Sequence, residues 1–217
     1  MIRRLVDITL GIAMLIALSP LLVLVSIAIL LSSPGNPFYG GWRVGKDGRR
    51  FRMWKFRTMV RNGDRIGGSV TTPKDPRVTT IGRFLRATKI DELPQFFNLI
   101  LGDMTLVGPR PESPTLIERY SPEQRRILSV KPGITGSAQL FYTTDPVPDG
   151  AEPDDYYIEH LLDQRVRLDL QYERTRTPVS DCALVLQTAL LMARSFLNIV
   201  SAKYAPRTLD RQISPYE

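Results

Sequence analysis

The chain has 217 residues, enough for one domain or for a small domain with a membrane anchor. Its formal net charge of +7 suits anionic lipid, nucleic acid or a phosphorylated substrate. Because it has one cysteine, Cys182, and one histidine, His160, an intrachain disulfide and a Cys/His zinc site are excluded. Candidate chemistry therefore falls to carboxylates, hydroxyls, lysines and arginines.

A nearly uninterrupted apolar run from Leu5 to Leu31 is long enough to cross a bilayer, since about 20 apolar residues suffice. A cleaved signal peptide fits poorly because the run is too long and lacks a small-x-small cleavage site. A single-pass anchor is the serious alternative. Against it, Ser19 and Pro20 lie in mid-run, and proline kinks or breaks a helix. The helical stretches on either side, Leu5 to Leu18 and Leu21 to Leu31, would each reach only about 16–21 Å. That is less than a hydrocarbon core of about 30 Å.

Positive charge lies on both flanks of this run. Arg3 and Arg4 precede it, and seven basic residues follow it between Arg43 and Arg57. Segments on the cytoplasmic side of a membrane helix are enriched in Lys and Arg. A helix that spans the membrane in a straight line would put one of the two basic flanks on the opposite side. The pattern predicts a broken, re-entrant membrane helix over residues 1–34, in which the Ser19 hydroxyl helps to satisfy backbone groups that Pro20 frees.

Residues 35–178 predict a small cytosolic domain in an α+β fold that is mostly helical. A hairpin is expected around Lys46-Asp47-Gly48, and a mobile loop over 61–76. Residues 91–101 predict a helix that Asp91 can cap and Gly102 ends.

The last part, residues 179–217, contains an apolar stretch over 179–200. It predicts a helix that is buried against the anchor or lies at the membrane interface, with a second membrane span as the alternative. The segment 143–155 is acidic and rich in proline, and it predicts a surface loop.

Asp91 and Glu92 form an adjacent acidic pair, which helix capping alone could explain. Their surroundings favour a different explanation, because Arg86 lies just before the pair and Arg110 follows in a turn held by two prolines. Cations around two carboxylates at a helix N-terminus describe a place for phosphate. A carboxylate can attack phosphorus or hold Mg²⁺, and the composition of this site therefore suits phosphoryl transfer.

Five stretches in one order carry a resemblance. They are the Ser19-Pro20 break, KFRTM at 55–59, RVTTIGRFLRATKIDELPQ at 77–95, GDMTLVGPRP at 102–111 and KPGITG at 131–136. Together they resemble the monotopic phosphoglycosyl transferases, often called bacterial sugar transferases. The resemblance covers about residues 1–140 and returns more weakly from Arg167. For KFRTM, contact with lipid headgroups remains an alternative to a role in the site.

The resemblance implies an enzyme anchored in one leaflet of the bacterial inner membrane, with its active site on the cytosolic face. Asp91 would attack the β-phosphate of a UDP-sugar and expel UMP. Polyprenyl phosphate would then take the sugar phosphate from Asp91. Mg²⁺ is the implied cofactor, with Asp91 as its contact. Glu92, the second catalytic residue, would orient Asp91 or assist the acceptor.

Matching positions imply that Arg57, Arg86 and Arg110 hold phosphate or nucleotide, with Pro109 and Pro111 fixing Arg110. Lys55 is a further substrate contact. The implied partners are the UDP-sugar, polyprenyl phosphate and the bilayer, with a homodimer and without nucleic acid. Ser137 and the segment 140–142 depart from the family's usual tryptophan and Asn-Gly-Arg, in a region expected to border the sugar.

Two rival interpretations remain open from the residues alone. One is a non-catalytic, basic, membrane-anchored protein that binds anionic lipid or nucleic acid, with a steep dependence on salt. The other is a membrane phosphohydrolase that uses Asp91 as its nucleophile and releases free sugar phosphate to water.

Overall fold

The computed structural model describes residues 2–63, 71, 75–141, 148 and 150–204. Most of the predicted loop over 61–76 lies outside the described residues, as do residues 143–147 and 149 of the loop predicted over 143–155. The predicted end of the second loop is wrong, because a helix begins at Pro153. The fold is mostly helical with a little sheet, as predicted. In chain order the helices and strands are α1 (Ile2–Ser32), β1 (Phe38–Val44), β2 (Arg50–Phe56), α2 (Thr80–Ala87), α3 (Gln95–Leu101), β3 (Thr105–Val107), α4 (Pro114–Glu118), β4 (Gly133–Thr135), α5 (Ser137–Phe141), α6 (Pro153–Tyr156), α7 (Leu162–Thr175) and α8 (Pro178–Tyr204).

Helix α1 runs without interruption through Ser19 and Pro20. The predicted break, in the sense of a non-helical gap, is therefore wrong. The missing amide of Pro20 leaves the carbonyl of Ile16 without its usual i+4 partner, and the Ser19 hydroxyl donates to that carbonyl at 2.8 Å. The predicted role of Ser19 is confirmed, and it gives a physical reason why helical structure continues past the proline. A bend at Pro20 stays a prediction.

Both ends of α1 contact the rest of the molecule. Near its start, Gly11 faces α3 so closely that an added Cβ would lie 2.8 Å from Ile100 Cγ1. Near its end, Val25 and Ile29 join a buried cluster with Phe56 and Leu85. The apolar side chains of α1 that face away from these contacts are exposed.

The predicted hairpin is confirmed, with β1 and β2 antiparallel and Val44 opposite Arg50. Asp47 and Gly48 have φ angles of 57° and 75°, the left-handed conformation that a tight connection needs. Helix α3 packs on β2 through Asn98, which is fully buried. Its Nδ2 donates to the carbonyl of Arg52 at 2.6 Å, and its Oδ1 accepts from the amide of Trp54 at 2.9 Å.

Strands β3 and β4 form a second, parallel pair whose backbones approach closely at three glycines. An added Cβ at Gly133 would lie 2.1 Å from the amide nitrogen of Gly108, and one at Gly136 would lie 2.3 Å from the Gly108 carbonyl oxygen. Only hydrogen fits at these positions, so the segment after β3 is held against β4 by the backbone itself.

Helices α7 and α8 are joined at a turn where Arg176 Nη2 and Asp181 Oδ2 are 2.8 Å apart. Helix α8 packs on α2, α5, β3 and β4, with a hydrogen bond of 2.6 Å between the hydroxyls of Thr188 and Thr135. Its other face exposes large apolar side chains, which are Val179, Leu186, Leu190, Leu191, Phe196 and Leu197. Two described helices, Ile2–Ser32 and Pro178–Asn198, are long and apolar enough to cross a membrane by length and composition.

The burial of Asn98 generates a stability prediction. Asn98→Ala leaves the Trp54 amide and the Arg52 carbonyl unpaired in the interior, which is expected to lower the free energy of unfolding by about 2–4 kcal/mol. Thermal unfolding in detergent measures the effect. The neighbouring change Phe97→Ala, at a side chain that is 44% exposed, is the control and should shift stability by about 0.5 kcal/mol or less. Equal effects of the two changes would contradict a structural role for the Asn98 amide.

Candidate active site

The acidic pair lies on a short 3-10 turn, Ile90–Glu92, placed ahead of α3. The turn is entered through Lys89 in the left-handed conformation, with φ of 59°. Backbone groups close it, since the amide of Glu92 donates to the Lys89 carbonyl at 3.1 Å. Helix α3 begins only at Gln95, after Pro94, and no side chain caps it. The prediction that Asp91 caps this helix is therefore wrong, because α3 begins four residues after Asp91.

Glu92 accepts two positively charged donors on one oxygen. Lys55 Nζ lies 2.8 Å and Arg110 Nη2 lies 3.0 Å from Glu92 Oε1. Burial acts to raise the pKa of Glu92, but the charges of Lys55 and Arg110 outweigh burial and hold that pKa well below its usual range. Burial also lowers the pKa of Lys55, which the charge of Glu92 opposes. Glu92 is thus an anion that gathers two cations, and it is poorly suited to accept a proton near neutral pH.

Asp91 lies in a different environment, although it is the neighbouring residue. Its side chain is buried, and its Oδ1 has no hydrogen-bond partner among the residues that the structure describes. Burial raises its pKa to about 6, helped by the negative charge of Glu92 and opposed by the positive charge of Lys55. A carboxylate oxygen that is desolvated and unpartnered is free to bond to phosphorus or to bind a cation.

The carboxylate of Asp91 also fits Mg²⁺. Within the described ranges, no group of three or more histidine, cysteine, aspartate or glutamate side chains converges on one point. Mg²⁺ needs no such group, since it is often bound by one or two carboxylates together with substrate phosphates and water. Asp91 is the residue that would hold it.

The structure brings Lys55 and Arg110 together at Glu92, as the prediction of a shared site requires. The turn that carries Arg110 is tied on both sides. The carbonyl of Pro109 accepts from the Gly133 amide at 2.9 Å, and the carbonyl of Glu112, just after Pro111, accepts from the Val44 amide at 3.0 Å.

Two other predicted arginines have contacts outside this cluster. Arg86 Nε donates to the Thr58 hydroxyl at 2.8 Å, and burial lowers its pKa while the charge of Asp91 raises it. Arg57 is bound to the segment that leaves α1, where its Nη2 lies 2.7 Å from the Ser33 carbonyl oxygen and its Nη1 2.9 Å from that of Pro34. Phosphate binding by Arg57 and Arg86 stays a prediction.

Gln139 belongs to the site but was missed by the sequence prediction. Its Oε1 lies 3.4 Å from Arg110 Nη1, while its Nε2 is buried without a partner among the described residues. Gln139 follows the KPGITG stretch by three residues, on α5. No charge or periodicity at Gln139 singled it out in the sequence.

The raised pKa of Asp91 generates a prediction on stability and pH. Because the folded state disfavours ionised Asp91, its charge destabilises the fold above its unfolded pKa of 3.8, and this cost reaches its full value above about pH 6. Asp91→Asn is therefore expected to stabilise the protein by roughly 1–3 kcal/mol at pH 8. The gain should vanish as the pH falls towards 4. Thermal unfolding in EDTA measures both values, and a gain that does not depend on pH would contradict the buried, unpaired carboxylate.

The chain is similar in sequence to known proteins. The sequence model of the bacterial sugar transferase family matches residues 1–195. The chain is 36% identical over 206 residues to the UDP-glucose:undecaprenyl-phosphate glucose-1-phosphate transferase of Escherichia coli K12, covering 91% of this chain and 41% of that protein. It is 39% identical over 169 residues to the UDP-N-acetylgalactosamine-undecaprenyl-phosphate N-acetylgalactosaminephosphotransferase of Aeromonas hydrophila, covering 74% and 40%.

A third relative is similar along most of its length. The chain is 36% identical over 201 residues to the exopolysaccharide production protein ExoY of Sinorhizobium fredii, covering 86% of this chain and 83% of ExoY. By contrast, it spans about two fifths of the Escherichia coli and Aeromonas relatives. Since the family match covers most of the chain and includes the acidic pair with its basic neighbours, this protein belongs to the bacterial sugar transferase family, the polyprenyl-phosphate phosphoglycosyl transferases.

Proposed function

We propose that this protein transfers a sugar-1-phosphate from a UDP-sugar to undecaprenyl phosphate and releases UMP. The names of the relatives support the substrates, since two of them transfer a sugar phosphate or sugar-1-phosphate to undecaprenyl phosphate. The observation that carries the proposal is the contrast between the two acids. Glu92 is paired with two cations, whereas Asp91 Oδ1 is buried without a partner beside them.

In the first step, an oxygen of Asp91 attacks the β-phosphorus of the UDP-sugar. The bond between that phosphorus and the bridging oxygen breaks, and UMP leaves with the bond's electrons. The product on the enzyme is an acyl phosphate that carries the sugar. Lys55 and Arg110, which Glu92 holds beside Asp91, would stabilise the charge that grows on the departing phosphate. Asp91 would hold Mg²⁺, which would supply Lewis-acid stabilisation of the same charge.

In the second step, a phosphate oxygen of the lipid acceptor attacks the phosphorus held on Asp91. The acyl phosphate bond breaks, the Asp91 carboxylate is restored, and a polyprenyl diphosphate sugar leaves. Glu92 holds Lys55 and Arg110 in place during both steps. A role for Glu92 in positioning is favoured over one in proton transfer, because its pKa is held well below its usual range.

The contacts of α1 support a monotopic arrangement, and the basic residues on both flanks of α1 favour the cytosolic face for the active site. Arg4, near the start of α1, contacts α3, while Ile29, near its end, packs on Phe56. A helix that crossed the hydrocarbon core in a straight line would place its two ends about 30 Å apart, on opposite sides of the membrane. Contact of both ends with one domain favours a helix that enters and leaves by one face.

Adduct formation on Asp91 tests the proposed reaction. Purified protein in nanodiscs, given UDP-sugars and Mg²⁺, is expected to release UMP and gain the mass of one phosphosugar on Asp91. Asp91→Asn should abolish both signals because the amide is not nucleophilic. Asp47→Asn, the same change at an exposed hairpin turn, is the matched control and should keep both. Release of free sugar phosphate without lipid acceptor would instead favour a phosphohydrolase, and wild-type turnover in Asp91→Asn would end the nucleophile assignment.

Cysteine labelling tests the topology. In a Cys182→Ser background, Ile2→Cys is expected to react with an impermeant maleimide only after the inner membrane is opened. Asp47→Cys, in the hairpin, reports the side of the catalytic domain and should behave identically. Labelling of the residue 2 thiol in intact spheroplasts would contradict the re-entrant arrangement. If Pro20→Leu leaves residue 2 protected as well, Pro20 is not what keeps the two ends on one side.

A further inference from the structure

Two polar side chains near the start of α1 are directed into the catalytic domain rather than towards lipid. Arg4 Nη1 donates to the carbonyl of Leu99, and Arg4 Nη2 donates to the carbonyl of Ile100. Asp7 is 6% exposed within an otherwise apolar helix. Its Oδ1 accepts from the amide of Leu106 at 3.0 Å, and its Oδ2 lies 2.9 Å from the Thr105 hydroxyl. We refer to Arg4 and Asp7 with these contacts as the clasp.

The Arg4 contacts complete the C-terminal end of α3. The last carbonyls of a helix have no partner within it, and they carry partial negative charge. The Asn98 carbonyl accepts from the Gly102 amide at 3.0 Å, and Arg4 takes the carbonyls of Leu99 and Ile100. Gly102 lets the guanidinium approach, since an added Cβ there would lie 3.0 Å from Arg4 Nη2.

Asp7 accepts a hydrogen bond from the backbone at the edge of β3 that does not pair with β4. On its other edge, β3 pairs with β4, where the Thr105 amide donates to the Pro132 carbonyl at 2.8 Å. The amide of Leu106 points away from that partner, and Asp7 is its acceptor. Loss of this carboxylate would leave a donor unpaired at a closely packed junction.

The two segments that the clasp holds, α3 and β3, each adjoin a turn that carries residues of the candidate active site. We call these two segments the arms of the site. Helix α3 directly follows the turn with Asp91 and Glu92, and β3 directly precedes the turn with Arg110. The arms meet where Arg110 Nη2 lies 3.0 Å from Glu92 Oε1. Arg4 and Asp7 are one helical turn apart, so one rigid element grips both arms.

We infer that the clasp is a positioning device: Arg4 and Asp7 set the relative placement of the Asp91-Glu92 turn and the Arg110 turn, and thereby the rate of phosphosugar transfer. This inference rests on the proposed function. Besides favouring a cytoplasmic N-terminus through its charge, Arg4 would then help to position the site. The inference also explains why the apolar helix α1 contains the carboxylate of Asp7. Neither residue contacts the reacting atoms, so both act through the arms that they hold.

Single-turnover kinetics test the inference with Asp7→Leu, which removes the acceptor but keeps α1 apolar and helical. The rate of adduct formation on Asp91 is expected to fall about tenfold or more, because small misplacements of reacting groups are costly. The amplitude should stay near one adduct per chain, since the fold persists. Asp7→Asn, which keeps one acceptor, should fall between wild type and Asp7→Leu. Arg4→Lys keeps the charge but loses the paired donors, and it should also slow the reaction.

Thr9→Val and Arg3→Lys are matched controls at exposed positions of the same helix, and both should react at the wild-type rate. Amide hydrogen exchange in 104–112 is the second readout, which does not depend on activity. It should quicken in Asp7→Leu by about tenfold and stay unchanged in the controls. A lower amplitude at the wild-type rate would mean partial misfolding and overturn the inference, as would unchanged exchange. If the wild type forms no adduct, the proposed function fails, while the exchange experiment still decides whether the clasp holds β3.

Discussion

The cost of removing two adjacent carboxylates from water is the constraint on which the rest of this site depends. Such a pair is tolerated only if at least one charge is compensated. Here the compensation is unequal, because Glu92 takes both cations on one oxygen and Asp91 keeps an oxygen without a partner. As a result, the pKa of Asp91 is raised and the pKa of Glu92 is lowered. One acid is thereby fixed as a charged support, and the other keeps the unpartnered oxygen that the proposed reaction needs.

Each cation reaches Glu92 from a different part of the fold, so the compensation requires three segments to meet. Lys55 comes from β2, Arg110 from the turn after β3, and Glu92 from the turn before α3. Asn98 ties α3 to β2, and the close approach of the glycines ties the Arg110 turn to β4. The charge cluster and the glycine-dependent packing around it are therefore parts of one arrangement.

Much of this site could be predicted from sequence because its chemistry lies in short, dense motifs. The Asp91-Glu92 pair, Lys55 and Arg110 were predicted from local composition and family resemblance, and the hairpin from a turn signal. The predictions of a helix break at Pro20 and of a helix cap at Asp91 failed, because in each case one side chain altered the local backbone structure. The Ser19 hydroxyl let α1 continue through Pro20, and Pro94 delayed α3 so that Asp91 was not its cap. The contacts of Asp7 join positions almost a hundred residues apart, which no local pattern encodes.

The attachment of Arg57 to the carbonyls of Ser33 and Pro34 has a consequence for a lipid substrate. Lys55 lies two residues before Arg57, roughly 7 Å along an extended chain, so the cationic cluster is close in sequence to the residue that contacts the end of α1. In the proposed monotopic arrangement, the end of α1 would lie at the level of the lipid headgroups. The acceptor phosphate would then meet the cationic cluster there, without its long hydrocarbon tail being drawn out of the membrane.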